Sequence, residues 1–156
     1  MSPIEEKLEE VGSAKAGQTW MIRGQAGTGK STYLRRIFQA YCAREDIPEI
    51  VLMTPETHNS EELCPEPEDT THEKVIRNDS DCSMGYLWRA IHEFPKGSAI
   101  LVDGLQRLED SCLPYSEEAE DLAKRAAVRG LHLVVTVQDR RGSRMSGWPG
   151  AEIVRI

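Results

Sequence analysis

Apolar positions along this chain follow two periods. Ile4, Leu8 and Val11 recur at helical spacing near the N-terminus. Ser2, Pro3 and Glu5 precede or open that run as an N-cap, a first-turn proline and a capping-box carboxylate. They predict an N-terminal helical arm within residues 1–16, packed on its own domain or docked on a neighbouring copy. Further on the apolar residues become contiguous: Thr19 to Arg23, Glu49 to Met53, Ala99 to Val102 and Leu131 to Val137 all read as strands. Glu152 to Ile156 reads as a short fifth. Unbroken apolar runs of this length suit parallel strands covered on both faces, where neither set of alternate side chains meets water.

Helical patterns separate the strands. One runs from Lys30 to about Arg44 and is broken by Ile47-Pro48. Another, Met84 to Phe94, carries Leu87, Trp88 and Ile91 inward and ends at Pro95-Lys96-Gly97. A third, about Ser116 to Arg129, stops at Gly130. Strands alternating with helices imply an α/β fold: a doubly wound parallel β-sheet of about five strands with right-handed crossovers. Residues 57–83 depart from the pattern, with Glu61, Glu62, Glu66, Glu68 and Asp69 crowded around Pro65 and Pro67. They are expected to form an acidic, solvated insertion in an otherwise single domain spanning 1–156.

Composition narrows the class. A chain of 156 residues suits one hydrophobic core. Its net charge of −7 argues against gripping nucleic acid by bulk electrostatics, although a local basic patch is compatible with it. No apolar run approaches the roughly 18 residues of a membrane span, and the acidic N-terminus lacks signal-peptide order. A cytoplasmic protein without membrane attachment is expected. Cys42, Cys64, Cys82 and Cys112 form no C-x-x-C pair and read as free thiols. The spacings of His58, Cys64, His72 and Cys82 match no usual zinc pairing.

The chemistry starts at Gly24-Gln25-Ala26-Gly27-Thr28-Gly29-Lys30-Ser31, which satisfies G-x-x-x-x-G-K-[ST] between a predicted strand and a predicted helix. Glycines let backbone N–H groups converge on phosphate oxygens, and the helix adds its positive N-terminal end. Gly27 and Gly29 are the expected positions of close backbone approach or positive φ. Residues Gly24 to Thr32 are thus predicted to bind a nucleoside triphosphate, ATP by preference, with Mg2+. Lys30 would reach the β- and γ-phosphates, and the Ser31 hydroxyl would join the metal shell. The guanine-reading N-K-x-D motif is absent. Asp103 ends the apolar run Ala99 to Val102, so it should face the ligand crevice and hold a water of the Mg2+ shell. Gly104 follows it, where some ATPases place a catalytic carboxylate.

Three further stretches carry a resemblance. Ala16-Gly17-Gln18 leads into the first strand, Leu122-Ala123-Lys124-Arg125 precedes the run Leu133 to Gln138, and Gly150 to Ile156 closes the chain. In order and spacing the chain resembles the RecA-like ATPases, which include recombinases and hexameric replicative helicases. That resemblance implies the sheet order fifth, first, fourth, third, second. It also implies a water-orienting role for Glu56 and a γ-phosphate-sensing role for Gln138. Arg140, Arg141 and Arg144 would form a loop for single-stranded nucleic acid or supply an arginine to a neighbouring subunit's nucleotide. A homo-oligomeric ATPase motor acting on nucleic acid is the reading this favours. The alternatives are a small-molecule kinase on the same core and a nucleotide-dependent regulatory module with weak hydrolysis.

Overall fold

A computed structural model describes residues 2–25, 27–53, 75–79, 84–104, 115–138 and 151–156. The elements in chain order are α1 (Pro3–Gly12), β1 (Thr19–Gly24), α2 (Lys30–Cys42), β2 (Glu49–Met53) and β3 (Val75–Asp79). They continue with α3 (Met84–Glu93), β4 (Ala99–Val102), α4 (Tyr115–Val128), β5 (His132–Gln138) and β6 (Ala151–Arg155). The strands form one sheet in the order β3-β2-β4-β5-β1-β6, and every pairing is parallel.

The contiguous apolar runs are explained by two cores, one on each face of this sheet. Alternate side chains of a strand point to opposite faces. Met21, Val51, Ile100 and Val135 accordingly join Leu87 and Ile91 of α3 and Leu122 of α4 in one cluster. Their neighbours Trp20, Ile22, Leu52, Leu101 and Val134 join Leu34, Ile37 and Phe38 of α2 in the other. Both faces of the central strands are covered, so the buried residues along them are mostly apolar, with Arg23 and Thr136 among the exceptions.

Five strands fall in the expected order, which in these labels reads β6-β1-β5-β4-β2. The sixth is a correction. Within the stretch 57–83 expected to be solvated, Val75–Asp79 pairs with β2 in the register Glu49↔Val75 to Met53↔Asp79. Its sequence, Val-Ile-Arg-Asn-Asp, lacks a contiguous apolar run because it is the terminal strand of the sheet. An edge strand tolerates charge that a central one does not. The acidic residues Glu61 to Asp69 lie outside the described residues.

The N-terminal helix docks on its own domain. Ser2 Oγ accepts the Glu5 N–H at 3.2 Å, the cap its sequence predicts. Val11 is fully buried and Leu8 packs on the α2-side core. Tyr33 and Tyr41 of α2 donate hydroxyl hydrogen bonds to the carbonyls of Ile4 and Val11, both at 3.1 Å. Arg36 grips Glu5 with two 2.8 Å bonds. Gly12 makes the close approach possible: a Cβ there would sit 3.2 Å from that of Ala40. Cys42 is buried and in no disulfide, whereas the other three cysteines lie outside the described residues. No helix among the described residues is long and apolar enough to cross a membrane.

Candidate functional site

Parallel strands present all their C-terminal ends to one side, and the candidate residues gather there. β1 ends at Gly24, the first residue of the glycine-rich loop. Gly24 is a steric requirement: a Cβ would lie 2.6 Å from Thr28 Oγ1 and 2.7 Å from the Ile156 carbonyl oxygen. The Ile156 N–H donates to the Arg23 carbonyl at 2.9 Å, drawing the end of β6 against the loop. Gly27 and Gly29 adopt φ of 79° and 91°, the left-handed region that glycine enters without strain. Among the described residues a Cβ on either would meet nothing within 4 Å.

Gly29 caps α2, and among the described residues that cap makes no side-chain hydrogen bond. The start of the helix, at the positive end of its dipole, suits an anion. The Gln25 carbonyl accepts from Thr28 Oγ1 at 2.9 Å and from Lys30 Nζ at 2.6 Å. The lysine ammonium therefore folds back across the loop it follows. Ala26 lies outside the described residues, as do Glu56, Arg140, Arg141 and Arg144.

Opposite the loop, β4 delivers Asp103. The backbone N–H of Asp103 donates to the Met53 carbonyl at 2.9 Å, continuing the β2–β4 ladder past the last paired residue. Its carboxylate accepts from Ser31 Oγ at 3.0 Å on Oδ2 and 3.2 Å on Oδ1. Residues 72 positions apart thus bring a hydroxyl and a carboxylate to one point at the start of α2. This donor set fits Mg2+. It consists of hard oxygens and includes a single carboxylate, and the described residues contain no cluster of three or more His, Cys, Asp or Glu able to hold a metal alone. Mg2+ is commonly held that way, by one or two protein oxygens together with phosphate and water.

Gln138 lies where the strand order requires. It is the last residue of β5, in register with Gly24 and partly exposed. Gly104 has φ of 90°, so a side chain there would be strained. The position after Asp103 is therefore closed to a catalytic carboxylate by backbone conformation as well as by sequence. One residue of the site escaped sequence reasoning. Thr136 Oγ1 donates to Asp103 Oδ1 at 3.1 Å and accepts the Gly104 N–H at 2.8 Å. Its signal was present: a lone hydroxyl inside the otherwise apolar run Leu133 to Val137.

An all-parallel α/β sheet, a glycine loop feeding a helix and a Ser–Asp pair beside it define a P-loop nucleoside-triphosphatase domain. Comparison with known families narrows the class: residues 18–150 match the NACHT domain, and the chain belongs to that family of nucleotide-binding NTPases. No curated protein matches the chain. The family supports the P-loop NTPase reading made from sequence, without extending to the recombinase and helicase group that the chain resembles.

Proposed function

We propose that this domain binds Mg-ATP at the C-terminal end of its sheet, hydrolyses it slowly, and uses nucleotide state to govern how copies of the chain assemble. The observation that carries this reading is the Ser31–Asp103 pair, 3.0 Å apart at the foot of the glycine loop. Bound Mg-ATP supplies the γ-phosphoryl group and the divalent charge that polarises it. The chain's own residues bind and orient. Backbone N–H groups at Gly27 to Thr32 receive phosphate oxygens, and Lys30 exchanges the Gln25 carbonyl for the β- and γ-phosphates. Ser31 would present its hydroxyl to the metal, and Asp103 would hold a water of its shell. Glu56 orients the attacking water, Gln138 reads the γ-phosphate from beside Gly24, and Arg140 or Arg141 reaches the nucleotide of an adjacent copy.

Slow turnover is favoured by Gly104, whose positive φ excludes a carboxylate directly after Asp103. Assembly is favoured by the family, whose domains often oligomerise. A second reading, a RecA-type motor on single-stranded nucleic acid, draws support from the order β6-β1-β5-β4-β2 and from Gln138 beside the loop. Steady-state phosphate release with and without single-stranded DNA or RNA separates the two. Turnover below about 1 per second is expected, against roughly 10 per second for a median enzyme. It should be indifferent to either polymer, while ATP raises the sedimenting mass. Stimulation by a polymer would overturn the assembly reading in favour of the motor.

A further inference from the structure

β5 is apolar and buried from Leu133 to Val137 except for one hydroxyl, that of Thr136, whose residue is 1% exposed. A polar group at such a position costs stability unless it is hydrogen-bonded. Thr136 makes two bonds whose directions are fixed by chemistry. The Gly104 N–H can only donate, so the hydroxyl oxygen accepts it, at 2.8 Å. Its single proton is then directed to Asp103 Oδ1, at 3.1 Å. The strand register explains the meeting, because Val102 of β4 lies opposite Val135 of β5 and Asp103 and Thr136 come next on each.

Asp103 is consequently held on three sides. Its backbone is tied to Met53 of β2, its Oδ1 to Thr136 of β5, and both carboxylate oxygens to Ser31 of α2. Of these only Ser31 is itself expected to turn toward the metal. The peptide after Asp103 is anchored through the same threonine, which fixes the turn at Gly104, φ 90°.

The structure assigns Thr136 as a positioning residue for the Mg2+ side of the nucleotide site. Its hydroxyl holds the Asp103 carboxylate in the orientation that faces Ser31, so that this ordering precedes ligand binding. The assignment rests on the Mg-ATP reading above and deepens it. Replacing the hydroxyl by a methyl group of similar shape would orphan the Gly104 N–H and free the carboxylate to rotate.

Wild type, Thr136→Val and Thr136→Ser are compared by titrating a fluorescent ATP analogue in EDTA and at increasing Mg2+. Thr136→Val should need on the order of tenfold more Mg2+ for half-maximal binding, the usual scale for loss of an outer-shell partner, while Thr136→Ser stays within about twofold of wild type. Affinity in EDTA should be the same for all three. An unchanged Mg2+ midpoint in Thr136→Val overturns the assignment. So does an equal loss in EDTA or an equal loss in the serine protein, either of which would mark a merely structural role. Thr136→Ala carries the same test if the valine protein fails to fold. Wild-type binding that ignores Mg2+ would instead overturn the Mg-ATP reading itself, and that failure is visible before any variant is compared.

Discussion

Thr136 and His132 stand on the same strand, β5, and each is 1% exposed. Thr136 lies toward the C-terminal end of the sheet and uses its hydroxyl twice, once on Gly104 and once on Asp103. His132 begins the strand at the opposite end. Its ring tilts against that of Tyr41, with centroids 5.1 Å apart, and neither ring nitrogen has a hydrogen-bond partner among the described residues. Ser98 Oγ and Trp20 Nε1 are buried without partners in the same sense. Buried polar groups at the site end are wired to one another, and those named at the other end have no hydrogen-bond partner among the described residues. A networked hydroxyl specifies geometry, whereas an enclosed, unpaired one subtracts from stability.

The largest expected consequence is a pH dependence from the enclosed end. Burial, aided by the positive charge of Arg44, pushes the His132 pKa down from 6.5 to about 4. The unfolded chain therefore binds a proton at His132 more readily than the folded one. Stability is complete above pH 6.5 and is lost as pH falls from there to about 4, where the loss levels off. The shift from 6.5 to about 4 amounts to about 3 kcal/mol. Asp46, whose carboxyl is held below its usual range by hydrogen bonds from Arg44, adds loss only at lower pH. Denaturant melts at pH 7, 5.5 and 4.5 should show the decline, and His132→Leu should flatten it. An equally steep decline in the leucine protein would break the contrast between the two ends.

Next in size is a change at the site end. Gly24→Ala should cost about 1–3 kcal/mol, as overpacking does, because its Cβ would meet both Thr28 and the Ile156 carbonyl. The end of β6 should loosen with it, seen as faster amide exchange at Ile156. A stable alanine protein would mean that β6 does not close tightly on the loop. The smallest effect is expected at Ser98. Ser98→Ala removes an unpartnered hydroxyl and should be neutral or stabilising by less than about 1 kcal/mol, as judged by thermal melting. A clear destabilisation would show that the Ser98 hydroxyl is structurally used.

Much of this architecture was legible in the sequence for a physical reason. Strands buried on both faces are mostly apolar, so β1, β2, β4 and β5 announce themselves, and glycine, proline and the Ser2 cap mark where helices begin or end. The loop Gly24 to Ser31 was legible because phosphate binding tolerates few alternatives at those positions. β3 was not, because this edge strand carries Arg77, Asn78 and Asp79 and reads like the acidic stretch before it. Thr136 was passed over because sequence shows a hydroxyl in a strand without showing that β4 places a carboxylate and a turning glycine beside it. The resemblance to RecA-like ATPases captured the strand order, which the fold shares, and not the family, which the match over residues 18–150 supplies.

Whether the glycine loop binds nucleotide is read by calorimetric titration of Mg-ATP into wild type and Lys30→Ala. Saturable binding by wild type is expected, with a loss of at least about tenfold in the alanine protein, the scale of a hydrogen bond to a charged group. Equal binding by both proteins, or none by wild type, would contradict binding at that loop.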